Sequence, residues 1–396
     1  MNDVWILSAC RTPLGSYGGA LSALSAVELG AFAISGAVKK SRNKLSGFGA
    51  VVMGNVLSAN LGQNPARQAA MFAGLPAGIC ATTVNKVCSS GMKAVSMISQ
   101  DIRLGEISAG LAGGMESMSQ VPFYIPGVRR GLGYGNKSLV DGISRDGLTD
   151  AFSQESMGVY GDQMAVRYDI SRKDADDYTE HSYQRCSNAW ESGMFTEEII
   201  PVKVESGKGE SRTVHEDEEF RRMNFEKLRR LRPAFSKDGC LTAASSSPLS
   251  DGAAALVLAS PDYATGKGLR PLARILAYAE AEQEPEHFIS SPAHAARKAL
   301  GRAGLTTADI DVFEINEAFA IVPLVFCMEM QIPVSKLNLF GGAVSIGHPL
   351  GASGARILCT LISVLRACKG RYGLAAICNG GGGASAMIIE NLQTDY

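Results

Sequence analysis

The sequence predicts an α/β protein of two similar halves separated by a more polar insert, on three observations. Short apolar runs bounded by glycine alternate with helical patterns at both ends of the chain, the texture of packed α/β layers. The middle of the chain loses that texture and gains charge and glycine. The two ends also repeat one order of motifs: a small-residue helix start, then a strand that runs into glycines.

In chain order, β-like runs at residues 4–9, 50–54 and 109–113 place a first half over residues 1–120. Between them, a helical pattern after Ser89-Ser90-Gly91 sets Met92, Val95, Ile98 and Ile102 on one face. Residues 121–249 form the insert, with a glycine-rich stretch at 131–138 and a basic run at 221–232. Residues 250–270 return to the first half, and 271–396 form the second. There Ala352-Ser353-Gly354 opens a helix as Ser89-Ser90-Gly91 does, and a strand ends in Cys378-Asn379-Gly380 as the earlier one ends in Gly113-Gly114. Such halves bring both helix starts to one interface, where open α/β sheets build their sites.

Composition narrows the function classes. A chain of 396 residues supports two or three packed domains, and 46% hydrophobic with 19% charged residues is a globular balance. A net charge of −1 offers no general attraction to nucleic acid or to an anionic membrane, so an anionic ligand has to be caught locally. The most lipid-like helix, residues 355–368, carries Arg356 and Arg366 and reads as a core helix. Nine cysteines in no repeated spacing argue for reduced thiols, six or seven of them small buried hydrophobes. The chain opens directly into an apolar run, so a targeting peptide is expected to be absent or already removed.

Three residues stand out for chemistry. Cys88, in Asn85-Lys86-Val87-Cys88-Ser89-Ser90-Gly91, precedes a helix whose free N–H groups and dipole favour a thiolate. A lone cysteine is more often an inert buried thiol, and it is the position and neighbours that shift the balance here. His348 lies in a glycine loop, Gly347-His348-Pro349-Leu350-Gly351, while the other four histidines have polar neighbours and read as surface groups. Cys378 ends an apolar strand and runs into Gly380-Gly381-Gly382-Gly383, whose N–H groups suit a phosphate or an oxyanion. Asn316, just after the apolar run at 311–315, would alone be a turn or helix cap. The basic run reads as a solvated face or as a phosphate-binding one. A dinucleotide fingerprint, a phosphate loop and metal-ligand spacing are all missing from the sequence.

Taken together, the blocks around Cys88, Asn316-Glu317-Ala318-Phe319, Gly341 to Gly351 and Cys378-Asn379-Gly380 resemble the four signature blocks of thiolases, and the similarity covers essentially the whole chain. The resemblance implies the five-layered αβαβα thiolase fold, from two similar α/β halves with an inserted loop domain. It implies ping-pong acyl transfer with coenzyme A as substrate and no organic prosthetic group. Cys88 would be the nucleophile, His348 its base and Cys378 the acid and base at carbon. One oxyanion hole would use His348 and a water on Asn316, the other the N–H groups of Cys88 and Gly380. It further implies a homotetramer, a dimer of dimers, with the glycine-rich stretch after Gln120 as tetramerisation loop, and neither nucleic acid nor membrane as partner.

Within the family the segment His181 to Gly193 resembles that of the mitochondrial acetoacetyl-CoA branch. That likeness implies a potassium site of Tyr183 with carbonyls of Ala243, Ala244, Ser246 and Val344. It also implies coenzyme A contacts from Tyr183, Arg222, Met223, Asn224, Lys227 and Ser247, tolerance of 2-methyl substrates, and residence in the mitochondrial matrix, with the cytoplasm as alternative. Two positions depart from the pattern: Ser156 stands where a histidine is usual, and Ser245 where an asparagine is. Alternatives within reach are a longer-chain thiolase, a ketoacyl synthase, which Cys378 argues against, and a non-catalytic acyl-CoA-binding relative.

Overall fold

The computed structural model describes residues 3–42, 47–205 and 211–393. The first half runs β1 (Trp5–Arg11), β2 (Gly15–Ser16), α1 (Ala26–Ser41), β3 (Ala50–Gly54), α2 (Pro65–Phe72), β4 (Cys80–Val84), α3 (Ser90–Leu104) and β5 (Ala109–Ser117). The insert carries β6 (Phe123–Tyr124), β7 (Val140–Asp141), α4 (Met157–Arg167), α5 (Arg172–Glu191), β8 (Val202–Glu205), β9 (Ser211–Val214) and α6 (Phe225–Leu228). The chain then returns through β10 (Ser250–Ala259) and α7 (Pro261–Gly266). The second half is β11 (Ala273–Glu282), α8 (Ser291–Ala303), β12 (Val312–Ile315), α9 (Ile321–Met330), α10 (Ala343–Ile346), α11 (Leu350–Cys368), β13 (Tyr372–Asn379) and β14 (Gly383–Asn391). Helix starts follow local chemistry: Ser25 with Glu28, and Ser171 with Asp174, close reciprocal caps at α1 and α5.

Strand alternation sorts side chains into layers. On β10, Ala253, Ala255, Val257 and Ala259 join the core under α1 and α2, while Ala254, Leu256 and Leu258 face α3 and α11. On β13 and β14 the same parity splits Ala375, Ile377, Met387 and Ile389 toward α11 from Leu374, Ala376, Ala386 and Ile388 toward α8. The result is five layers, with α3 and α11 as the middle one. The two half-sheets join where β1 meets β11 over two residue pairs, Trp5 with Arg274 and Ile6 with Ala273. α11 is long and apolar enough to cross a membrane, but 83% of that stretch is buried in the protein, as a core helix requires.

The halves share their pairing pattern. β3 runs parallel to β5, β5 antiparallel to β10, and β10 antiparallel to β1. β12, β13, β14 and β11 repeat that series in the same order. The insert fills the β5–β10 connection, whereas β13 and β14 are joined by residues 380–382 alone. The two middle helices touch because small residues face each other. A Cβ on Gly354 would fall 2.5 Å from the Met92 nitrogen, and one on Gly114 2.0 Å from the Gly351 oxygen. The repeated small-residue motif is therefore a packing contact. It lies in the first turn of α11, which begins at Leu350, rather than ahead of it.

The insert is anchored by a buried charge cluster. Arg11 on β1 bonds Glu198 at 2.5 Å and both oxygens of Asp217 at 2.6 and 2.9 Å, and Trp190 donates to Asp217. Thr360 and Ser363 of α11 donate to Glu198 from the other side. All nine cysteines are free. Cys10, Cys186, Cys327 and Cys359 are buried in apolar surroundings, but Cys80 and Cys368 are exposed, so fewer serve as hydrophobic filler than expected. Cys80 lies on the sheet's edge strand and Cys368 at a helix end, positions an apolar sequence neighbourhood does not reveal.

Candidate active site

Cys88 sits on a tight turn between β4 and α3. Val87 before it has φ 47°, a strained setting for a β-branched residue. The turn is over-determined: Asn85 Oδ1 accepts from the Val87 N–H at 2.9 Å, Ser90 Oγ donates to the Val87 carbonyl at 2.6 Å, and the Lys86 N–H donates to Ser90 Oγ at 2.8 Å. Ser89 ties this turn to the end of β13 by donating to Asn379 Oδ1 at 2.9 Å. That link brings the Cys88 sulfur to the backbone N–H of Gly380 as well as its own.

His348 is held in one tautomer. Ser353 Oγ donates to the Pro349 carbonyl, so at 2.6 Å it accepts from Nδ1–H. The lone pair of Nε2 then accepts from Asn316 Nδ2–H, a long contact of 3.5 Å. Behind the loop, Glu116 is fully buried and accepts from the N–H groups of Val56, Leu57 and Gly351 and from Asn55 Nδ2. Those four donors tie the start of α11, through Gly351, to residues 55–57 after β3, though burial still lifts the carboxyl to about 7.

A cavity of about 290 Å3 is lined by Cys88, His348, Cys378 and Gly380 together, with Leu148, Ser156, Met157, Phe235, Ser246, Ser247, Phe288, Ala318, Phe319 and Leu350. It is mostly apolar, and Phe235 and Phe319 meet edge to face with centroids 5.7 Å apart. Burial governs protonation here. It pushes the Cys88 thiol up to about 12 against the pull of the two N–H groups, and raises Cys378 further, with Cys88 adding to the effect. His348 is driven down to about 3, first by burial and then by Arg356. The helix start supplies N–H groups that favour a thiolate, as expected of its position, and burial acts against them. Burial thus favours the neutral forms of both thiols and of the imidazole.

Comparison with known proteins bears on this arrangement. Residues 4–262 match the model of the thiolase N-terminal domain, and residues 269–391 that of the thiolase C-terminal domain. The chain belongs to the thiolase family. This thiolase is 48% identical over 391 residues to a cytosolic acetyl-CoA acetyltransferase of Gibberella zeae, covering 98% of each chain. It is 49% identical over 392 residues to acetyl-CoA acetyltransferase 2 of Arabidopsis thaliana, covering 98% of this chain and 97% of that one. Among solved structures, the Acat5 thiolase from Ascaris suum in complex with coenzyme A superposes with a TM-score of 0.93 at 43% identity, covering 98% of this chain and all of that one.

Not every expected residue of this thiolase reaches the cavity. Ser246 and Ser247 line it, but Arg222, Asn224 and Lys227 lie outside on an exposed segment and Met223 packs against the inter-sheet core. Within the basic run Arg221 pairs with Glu216 and Arg229 with Asp177 and Glu180, so part of that charge is already neutralised. The Ser245 hydroxyl accepts from the Thr242 N–H at 2.8 Å and orders the turn that the usual amide was expected to hold. Ser156 caps α4 and lines the cavity. Tyr183 is buried in the same core cluster as Val344, and burial, then Glu219 and Glu317, push its hydroxyl up. The sequence reading missed Glu116, Ser353, Phe288 and Arg356. Arg356, one of two charges in an apolar helix, left a visible sign.

Proposed function

We propose that this chain is an acetyl-CoA C-acetyltransferase, interconverting acetoacetyl-CoA plus coenzyme A with two acetyl-CoA by a ping-pong route. The observation that carries it is the meeting of two thiols, an imidazole whose Nε2 lone pair is held only by a long contact, and two N–H groups at one sulfur, around one small apolar cavity. In thiolysis, His348 Nε2 takes the Cys88 proton as the sulfur attacks the 3-keto carbon. The C2–C3 bond breaks and its electron pair leaves as the acetyl-CoA enolate, whose oxygen is met by protonated His348 and the Asn316 side. Cys378 then gives its proton to C2. The Cys378 thiolate deprotonates the incoming coenzyme A, whose sulfur attacks the acyl carbon. That oxygen rests on the N–H groups of Cys88 and Gly380, and Cys88 leaves and recovers its proton. Because burial disfavours a standing thiolate, charge forms at the sulfur only as bonds change.

The cavity volume and its aromatic walls favour short acyl groups, with 2-methylacetoacetyl-CoA as a second substrate. Arg222, Met223, Asn224 and Lys227 are assigned to the nucleotide end of coenzyme A, outside the cavity, and Ser247 to the pantetheine arm within it. Potassium is assigned to Tyr183 and the carbonyls of Ala243, Ala244, Ser246 and Val344, where it would rigidify the 243–247 loop. A homotetramer is supported by the free outer edge of β4 and by exposed Phe123, Ile125, Leu132, Tyr134 and Leu139. The cytosolic relative favours the cytoplasm over the mitochondrial matrix. The test is coenzyme A-dependent loss of acetoacetyl-CoA and 2-methylacetoacetyl-CoA by wild type and Cys88→Ala, with and without potassium. Wild type should consume both and the variant neither. Failure of wild type on both would remove the short-chain reading.

A further inference from the structure

We infer that Arg356 is a positioning residue for carbon–carbon bond cleavage, holding the Asn316 amide so that its nitrogen faces His348. The inference rests on the thiolase reading above. Arg356 lies on α11 and is 1% exposed. Its Nη2 donates to Asn316 Oδ1 at 3.4 Å, while its Nε and Nη1 have no hydrogen-bond partner among the described residues. Glu314 on β12 acts on it electrostatically but is itself buried with Oε1 unpartnered, so the two do not form a fork-to-fork pair. A buried guanidinium so poorly bonded destabilises the fold. Its one hydrogen bond to a side chain among the described residues goes to Asn316.

That contact decides which way the amide points. An asparagine side chain has the same shape either way round, and its partners choose the orientation. A guanidinium only donates, so Oδ1 has to face Arg356 and Nδ2 falls on the His348 side. Turned over, the amide would set N–H against N–H at Arg356 and offer an oxygen to the negative oxygen of a departing enolate. Both contacts would be repulsive. The N–H groups of Cys88 and Gly380, which serve the acyl oxygen, owe nothing to Arg356. Acting through Asn316, its influence falls on the step that makes and breaks the carbon–carbon bond, whereas its charge near His348 bears on both activities alike.

The experiment compares two activities of the full-length enzyme: thiolysis of acetoacetyl-CoA, and exchange of labelled coenzyme A into acetyl-CoA, which needs no enolate. Arg356→Met is expected to lower kcat for thiolysis about 10²-fold, the scale of losing one oxyanion donor. Exchange and the KM for acetoacetyl-CoA should stay within about threefold. Arg356→Lys keeps the charge and a donor, and is expected to lose only about tenfold in thiolysis with exchange retained. It is read alone if the methionine variant does not fold. Equal falls in both activities, or no fall in thiolysis, in a soluble variant would overturn the inference. A wild type inactive in both would overturn the thiolase reading instead.

Discussion

His348 stays neutral because burial and the nearby Arg356 charge both oppose its protonation. Its folded pKa of about 3 lies below the ordinary 6.5, so between these values the unfolded chain binds a proton that the native one refuses. Stability present above pH 6.5 is therefore lost as pH falls toward 3, at about 1.4 kcal/mol per pH unit for this one proton. Between pH 7.5 and 5.5, urea unfolding should show wild type losing about 1.4 kcal/mol more than His348→Asn. Equal losses would mean that the native imidazole already carries a proton at pH 5.5. The same residue shows how far reading by eye extends. Its glycine loop and the proline after it marked it out. The Ser353 contact that sets its tautomer comes from five residues on, along a helix whose first turn had no sequence sign of that role.

Among elements, the contact of α3, β5 and α11 leaves least freedom, since Gly114 faces the Gly351 carbonyl at a distance no side chain can share. Gly114→Ala should destabilise by about 3 kcal/mol and displace the loop that carries His348, lowering activity in proportion. Thermal melts alongside thiolysis rates would show it, and an unchanged Tm would argue that the layers slide apart easily. Arg11→Met removes the partner of two buried carboxylates and should cost about 3–5 kcal/mol. Denaturant titration reads that loss directly; a loss under about 1 kcal/mol would mean that water reaches Glu198 and Asp217. These elements were legible to different degrees. Strands β1, β3 and β5 and the buried face of α3 follow from apolar spacing, which is local. Glu116, Phe288 and the Arg11 cluster join residues far apart in the chain, and no local pattern records which buried polar group meets which. For the same reason the helix start ahead of Cys88 is visible in sequence, while the burial that opposes its N–H groups is not.

On the scale of the whole molecule, the proposed homotetramer would cover the apolar side chains that protrude between Phe123 and Leu139. Replacing Leu132, Tyr134 and Leu139 together by serine should halve the native mass seen by light scattering, with thiolysis per chain largely kept. An unchanged mass would place the tetramer contact elsewhere. The matched strand order of the two halves has a consequence for ancestry. A gene for one α/β unit, copied and fused to itself, would yield this chain, and its earlier product would be a symmetric pair meeting at what are now α3 and α11. In that pair both copies had to carry the same residues at the helix start. Fusion released them from that identity: one copy could keep a cysteine ahead of its helix while the other took a histidine, so a nucleophile and its base could arise at a place where symmetry had allowed only two of either.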